Sequence, residues 1–401
     1  MLSQDFIFCK TKELLAEFIS PIAACADKPR KKFLRQVLSA ILFSGSLVVT
    51  DMTRWIHDDC TDIFHRLKRL LNHLISPVVN LTSLVEAYRH NLAGYVEPDT
   101  PIIIDLTDVA KPRARKMKYA ALVRDGSEHK LVTGYWCVEV YAHLRKKRIL
   151  PLALDVFSIQ DPAIGSQNLQ IDKTISSVNR ALGGKGIWIA DRGFDGLNIY
   201  ETWFSHNCHF VVRQRGDRYV TLPDGIRALE NDLIEHMRQS NAQAGLQTDI
   251  VFGKVYLPDN NRPVYIVASW LPGADEPLIL LTTLVVENLQ QARGIIWYYK
   301  QRWACEETSR FLKSRVGFEC FRIRRYEAIQ RLAILAMFAM GFLTWILLRS
   351  CRTTYRLFAF TSRFRKDTRF VYYRLLDGLQ EFGRLYRLKL SQIFLEFPRN
   401  G

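Results

Sequence analysis

Ser166-Gln-Asn-Leu-Gln-Ile-Asp-Lys-Thr-Ile-Ser-Ser-Val-Asn-Arg-Ala-Leu-Gly-Gly-Lys-Gly-Ile-Trp-Ile-Ala-Asp191 holds a helix, its stop and a strand in succession. Leu169, Ile171, Ile175, Val178 and Leu182 recur at helical intervals, Gly183 and Gly184 end the helix, and Gly186 to Ala190 is an apolar run closing on Asp191. Upstream, Ile149 to Ile159 is a further apolar segment with Asp155 in its later part, so strand, helix and strand follow one another and predict parallel pairing. Working outward, Ile102 to Ile104 is a short strand ending in Asp105, and Tyr135, Cys137, Glu139 and Tyr141 alternate with Trp136, Val138 and Val140 as a strand does. A helix over Leu197–His206 and a strand over Cys208–Arg213 complete a five-stranded mixed α/β unit.

The flanking patterns divide the chain into five parts. Residues 1–97 read as helical, with apolar residues at helical spacing in Phe33, Val37, Leu38 and Ile41 and again from Ile63 to Leu74. There Thr50 or Asp51 is expected to cap a helix holding Met52, Trp55 and Ile56. The resulting pair of helices suits either a helix-turn-helix DNA reader, with Lys28, Arg30, Lys31, Lys32 and Arg35 on phosphates, or an ordinary helical hairpin. Pro98 and Pro101 mark the start of the α/β unit, 98–215. Residues 216–286 form a mostly β insertion with strands at Ile250–Leu257, Val264–Trp270 and Leu278–Leu284 and one helical piece at Ile226–Arg238. Residues 287–350 carry a long charged helix, Leu289–Arg315, and a second, apolar one, Ala328–Arg349. Residues 351–401 interleave arginines with aromatic side chains, a mixture suited to phosphate contact with stacking, to core anchoring or to a solvated helical face.

Lys and Arg number 56 against 40 Asp and Glu, a net charge of +16 over 401 residues, which favours a polyanionic partner. Eight cysteines without a CxxC pair argue against a zinc ribbon or a disulfide framework and fit a reducing cytosol. No secretion signal is expected, because Asp5, Lys10 and Lys12 closely flank the apolar run Phe6–Cys9. The uncharged stretch Leu332–Leu348 is just short of a spanning helix and is expected to lie in the core, with no membrane partner.

Two acids at the ends of apolar strands, Asp105 and Asp191, followed by Glu306 on a basic helix, make the oxygen-donor set that Mg²⁺ requires. Two such ions about 3.5 to 4 Å apart activate an attacking oxygen and stabilise the leaving oxygen in phosphodiester cleavage. Tyr299, Arg302, Glu306 and Lys313 are spaced to form one stripe on a helix, in which Arg302 and Lys313 could grip phosphates beside the acid. The alternative is a surface helix laced by ion pairs, with Trp297, Trp303 and Phe311 packing inward. Asp108, Asp155 and Asp195 are read as structural or supporting acids.

The spacing Tyr-x2-Arg-x3-Glu-x6-Lys, with Trp303 after the Arg and Phe311-Leu312 before the Lys, resembles the YREK signature of the DDE transposases in the family named after insertion sequence four. Asp105-x-Thr107 resembles that family's first catalytic motif and Ala190-Asp191-Arg192-Gly193-Phe194-Asp195 its second, and the strand-rich gap before Glu306 is similar to its β insertion. Cys305, where an aliphatic residue is usual, and Glu307, beside Glu306, depart from the pattern. The resemblance implies a ribonuclease-H-like core in which Asp105, Asp191 and Glu306 ligate two Mg²⁺ or Mn²⁺ ions, while Tyr299, Arg302, Lys313 and Arg192 contact DNA. It further implies terminal inverted repeats and target DNA as substrates, a homodimer on paired ends, cut-and-paste movement and a cytoplasmic, nucleoid-associated place in a bacterial or archaeal cell. A same-fold nuclease that only hydrolyses DNA, or a silent DNA-binding descendant of a transposase, are the other readings.

Overall fold

The computed structural model describes residues 4–396 apart from 25, 57–61, 77–80, 125, 127–129, 259–261, 271–275, 350 and 362–369. Cys25 and Cys60, and Arg363, Phe364, Arg365, Lys366 and Arg369 of the basic tail, lie outside the described residues. Five helices come first: α1 (Gln4–Ile22), α2 (Lys28–Ser44), α3 (Val49–Thr53), α4 (Ile63–Ile75) and α5 (Leu81–Leu92). The start of α2 is fixed by Asp27, whose carboxylate accepts from the Arg30 amide at 2.9 Å, and by Pro29 in the first turn; Gly45, at φ 61°, ends it. Helix α3 is shorter than expected. It begins at Val49 without a side-chain cap, Thr50 and Asp51 lie inside it, and Asp51 instead accepts from the Ser46 hydroxyl, so five residues cannot serve as a groove-reading helix.

The sheet follows: β1 (Pro101–Ala110), β2 (Ala121–Arg124), β3 (Leu131–Leu144), β4 (Arg148–Phe157), then α6 (Gln167–Leu182), β5 (Ile187–Ala190), α7 (Leu197–Ser205) and β6 (His209–Arg213). Helix α6 runs between a Ser166 cap, accepting from the Leu169 amide, and Gly183 at φ 65°. Strands β1, β5 and β6 pair in parallel, with Ile102 opposite Trp188 and Trp188 opposite Phe210, while β3 is antiparallel to both β1 and β4. The order β4-β3-β1-β5-β6, with helices between the parallel strands, is the ribonuclease-H-like arrangement.

The β-rich segment continues this sheet. It comprises β7 (Tyr219–Thr221), β8 (Arg227–Leu229), α8 (Glu230–Gln243), β9 (Ile250–Tyr256), β10 (Pro263–Ser269) and β11 (Leu278–Thr282). Because β11 pairs antiparallel with β6, Leu281 opposite Val212, the five-stranded unit has no free edge there and extends into a sheet of eleven strands. The four-residue strand β2, absent from the sequence reading, forms a hairpin with β3.

Beyond the sheet lie α9 (Leu289–Lys300), α10 (Trp303–Phe311), a π-helical turn at Leu312–Val316, α11 (Tyr326–Arg349), α12 (Cys351–Thr361) and α13 (Val371–Glu396). The long helix expected over Leu289–Arg315 is therefore broken. At the join, the amides of Gln301, Arg302, Ala304 and Cys305 bond to carbonyls three residues back rather than four, a tightening that no Gly or Pro announces. Trp297 and Trp303 are exposed rather than packed inward, and only Phe311 is buried.

Helix α11 is long and apolar enough to cross a membrane, yet 83% of its most apolar window is buried against protein. The N-terminal helices share its core: Phe18 packs on Phe342, Trp345 and Tyr88. The tail aromatics also anchor inward, since the buried Tyr372 hydroxyl accepts from the Ile149 amide at 2.8 Å and meets Thr344. Where α5 crosses α11, the Tyr88 hydroxyl donates to the Pro151 carbonyl at 2.7 Å and lies over Gly341, leaving no room for a methyl group, which would stand 2.2 Å from the hydroxyl oxygen. Gly341→Ala is accordingly expected to lower unfolding free energy by ~1–3 kcal/mol in urea titration. A variant as stable as the parent would show that the α5–α11 contact is not tight.

Candidate active site

Strand pairing sets two acids side by side. Asp105 lies on β1 and Asp191 directly follows β5, its parallel neighbour. The Asp191 carboxylate caps the turn Arg192–Phe194 by accepting from the Arg192 amide at 2.7 Å, and it also accepts from the Tyr299 hydroxyl at 3.2 Å. Asp105 accepts from the Leu106 amide at 2.9 Å and from the Cys305 thiol at 3.7 Å. Cys305 is fully buried, and burial together with the Asp105 charge pushes its pKa up, so it remains a thiol.

The third acid arrives on α10. Glu306 forms an ion pair with Arg302 at 2.7 Å, whereas Glu307 turns to Arg310 at 2.9 Å. The Arg302 side chain is only 13% exposed, its Nε is buried without a partner among the described residues, and its guanidinium stands over the Tyr299 ring. Burial works against its charge, but the carboxylates of Asp191, Asp105 and Glu306 outweigh that and raise its pKa. Burial likewise pushes Asp105 up to about 6; Arg302 opposes the shift and Asp191 adds to it. Arg302 is thus paired with Glu306 and within electrostatic reach of Asp105 and Asp191.

Lys313, on the π-helical turn, sits farther along β1. It reaches Glu319 at 3.0 Å and Asp108 at 3.5 Å instead of the acids. Arg192 is exposed beside Asp191. Asp195 is almost wholly buried and holds Arg218, the Tyr200 hydroxyl and the Arg215 amide, and Asp155 accepts from Thr174; both are structural.

One acid was not singled out from the sequence. Glu139 is fully buried on β3, in register with Asp105, and accepts from the Ser309 hydroxyl; its other oxygen is buried without a partner among the described residues. The alternation Tyr135-Cys137-Glu139-Tyr141 signalled it, by placing an acid on an apolar face. Because Ser309 lies one helical turn after Glu306, this bond ties the Glu306 helix to the strand beside Asp105.

Oxygen donors are what a hard divalent cation needs, and of the three acids Asp105 is the most desolvated while Glu306 is partly exposed beside Arg302. As arranged, no three acids, thiols or imidazoles among the described residues stand close enough to hold an ion. Arg302 is paired with Glu306, so an ion held by Glu306 would compete with that pair. Three carboxylates are the donor type that fits a divalent metal.

Two neighbouring acids on parallel strands, followed by a third on a helix beyond the sheet, sit on a ribonuclease-H-like fold. Residues 98–342 match the family described as the transposase DDE domain, and the chain belongs to that family, whose domains generally use divalent metal ions. Among solved structures, the piggyBac transposase in a synaptic complex with hairpin DNA is similar in fold, with a TM-score of 0.51 and 10% identity over 97% of this chain and 84% of that one. Comparison with curated proteins gives no match.

If the Ser309–Glu139 bond positions Glu306, Glu139→Leu should slow metal-dependent DNA cleavage by roughly 10²-fold, whereas Glu139→Gln, which still accepts from Ser309, should stay within several-fold. Equal loss in both variants would remove the tether. A second expectation concerns pH. A carboxyl raised in the folded state stabilises that state below its unfolded pKa and loses the contribution as pH rises through the folded value. Burial raises Asp105 to about 6 and Glu139 to about 7, so the metal-free protein should lose stability between pH 4 and 7. Asp105→Asn should flatten that loss, and Mg²⁺ should offset it at pH 7.5. Urea titrations at pH 5, 6 and 7.5 check this, and an unchanged slope in Asp105→Asn would contradict it.

Proposed function

We propose that this protein is a transposase of the insertion-sequence-four type that cuts DNA at the terminal inverted repeats of a mobile element and joins the ends to target DNA by a cut-and-paste route. The observation that carries the reading is the parallel pairing of β1 with β5, which sets Asp105 beside Asp191, together with Glu306 on α10 and its ion-pair partner Arg302, inside a transposase DDE domain. Asp105, Asp191 and Glu306 would hold two divalent cations, Mg²⁺ or Mn²⁺, which when bound supply charge stabilisation at the attacking and leaving oxygens. Arg302, released from Glu306, turns its charge to a phosphate oxygen, and Tyr299 orients Asp191 through its hydroxyl. Lys313, the last member of the signature, contacts the backbone alongside Asp108, and Arg192 does so at the Asp191 turn. Water attacks first and a DNA 3′ hydroxyl attacks in the joining step, with no covalent enzyme intermediate. Two copies act together on paired ends within the cytoplasm, on nucleoid DNA.

Asp105→Ala, Asp191→Ala and Glu306→Ala should each lower cleavage by ~10³-fold or more, the equivalent of about 4 kcal/mol, without changing DNA affinity. The substrate is the DNA flanking the reading frame, supplied intact or pre-cleaved with a target plasmid. Joined product from pre-cleaved ends supports a transposase. Cleavage without joining leaves a nuclease, and binding without Mg²⁺-dependent nicking leaves a silent DNA-binding protein.

A further inference from the structure

Past the catalytic acids, β1 leads into a groove that none of the chemistry above uses. Its walls are the segment after β1, Lys111–Met117, and the segment before α11, Glu319–Arg324; it encloses about 510 Å³. The walls are fastened together from beneath. The buried Lys111 ammonium donates to the carbonyls of Glu319 and Phe321 and lies 3.5 Å from the Phe321 ring centre, the Ala110 amide donates to Glu319 at 3.3 Å, and the Lys118 amide donates to the Arg324 carbonyl at 3.0 Å.

On this frame five cations, Arg113, Arg115, Lys116, Arg322 and Arg324, are exposed. Each lacks an ion pair with any described residue. The single acid lining the groove, Glu319, is already neutralised by Lys313. Five like charges held close together repel one another and none has an ion-pair partner among the described residues, so an anion with regularly spaced charges would relieve that repulsion. A small anion needs donors converging on one point; these cations are spread along two walls. Ala110 follows Asp105 by five residues on the same strand, a rise of ~17 Å, which corresponds to about five base pairs of duplex.

We propose that this groove binds the phosphodiester backbone of duplex DNA about five base pairs from the phosphate being cut. The inference rests on the transposase reading for the location of that phosphate. The DNA so held lies either inside the element's end or in the sequence flanking it, and the test separates these.

The experiment measures affinity by fluorescence anisotropy between 50 and 200 mM salt for the full-length protein on two duplexes: the terminal DNA ending at the cleavage point, and the same DNA with ten flanking base pairs. Each phosphate contact contributes ~0.9 to the salt slope. Arg113→Ala/Arg115→Ala/Lys116→Ala should therefore lose about 2.7 of slope, so that the parent weakens across this fourfold salt range about 40-fold more than the variant. Arg322→Ala/Arg324→Ala should lose about 1.8, a difference of about 12-fold, and replacement of the same arginines by Lys should retain the parent slope. A reduction confined to the flanked duplex places flanking DNA in the groove; a reduction on both places the element's end there. Parent slopes on both duplexes in both Ala variants overturn the proposal. Cys320, exposed in the groove, gives a readout without substitution: either duplex that fills the groove should protect it from alkylation, read at that residue by mass spectrometry. Full alkylation of Cys320 in saturating DNA also overturns the proposal. A parent protein that binds no DNA would defeat the transposase reading itself, whereas a parent that binds and cleaves while the variants keep its slopes defeats the groove alone.

Discussion

A single guanidinium, paired with Glu306 and within electrostatic reach of Asp105 and Asp191, governs the centre of this molecule. Burial pushes Asp105 up to about 6 and works against the charge of Arg302, and the attraction between Arg302 and the neighbouring carboxylates opposes both effects. The surrounding structure serves this balance. Parallel pairing of β1 with β5 brings the two aspartates together, and the tightened join at Gln301 and Arg302 turns α10 so that Glu306 and Arg302 face them.

The rigidity needed to hold such a cluster comes from elsewhere in the chain. Helix α11 is packed beneath the sheet, with Thr344 donating to the Ile149 carbonyl and Tyr372 of α13 closing the same spot from the far side. Residues from both ends of the sequence thereby share one core with the catalytic strands. Among the described residues of the basic tail, the buried Tyr372 is part of this scaffold.

Much of the site could be read from the residues because its signals are local. The apolar run ending in Asp191 marks a strand end without any knowledge of partners, whereas Asp105, read as a strand end, stands in the middle of β1, which continues to Ala110; helical spacing alone relates Arg302 to Glu306. What escaped depends on pairing between distant segments. Glu139 is meaningful only through its register with Asp105 and its bond to Ser309, and the continuation of the sheet through β11 depends on which edge Leu281 finds. The break near Gln301 and the exposure of Trp297 and Trp303 had no sequence marker; the long-range bond next to the break runs from the Tyr299 hydroxyl to Asp191.

The most direct measurement is anomalous diffraction from crystals of the protein grown with Mn²⁺ and a DNA end. Two manganese peaks within about 4 Å of each other, bounded by Asp105, Asp191 and Glu306, with the Arg302 side chain withdrawn from Glu306, are the expected result. Manganese bound elsewhere, with Arg302 still paired to Glu306 among the three acids, would contradict it.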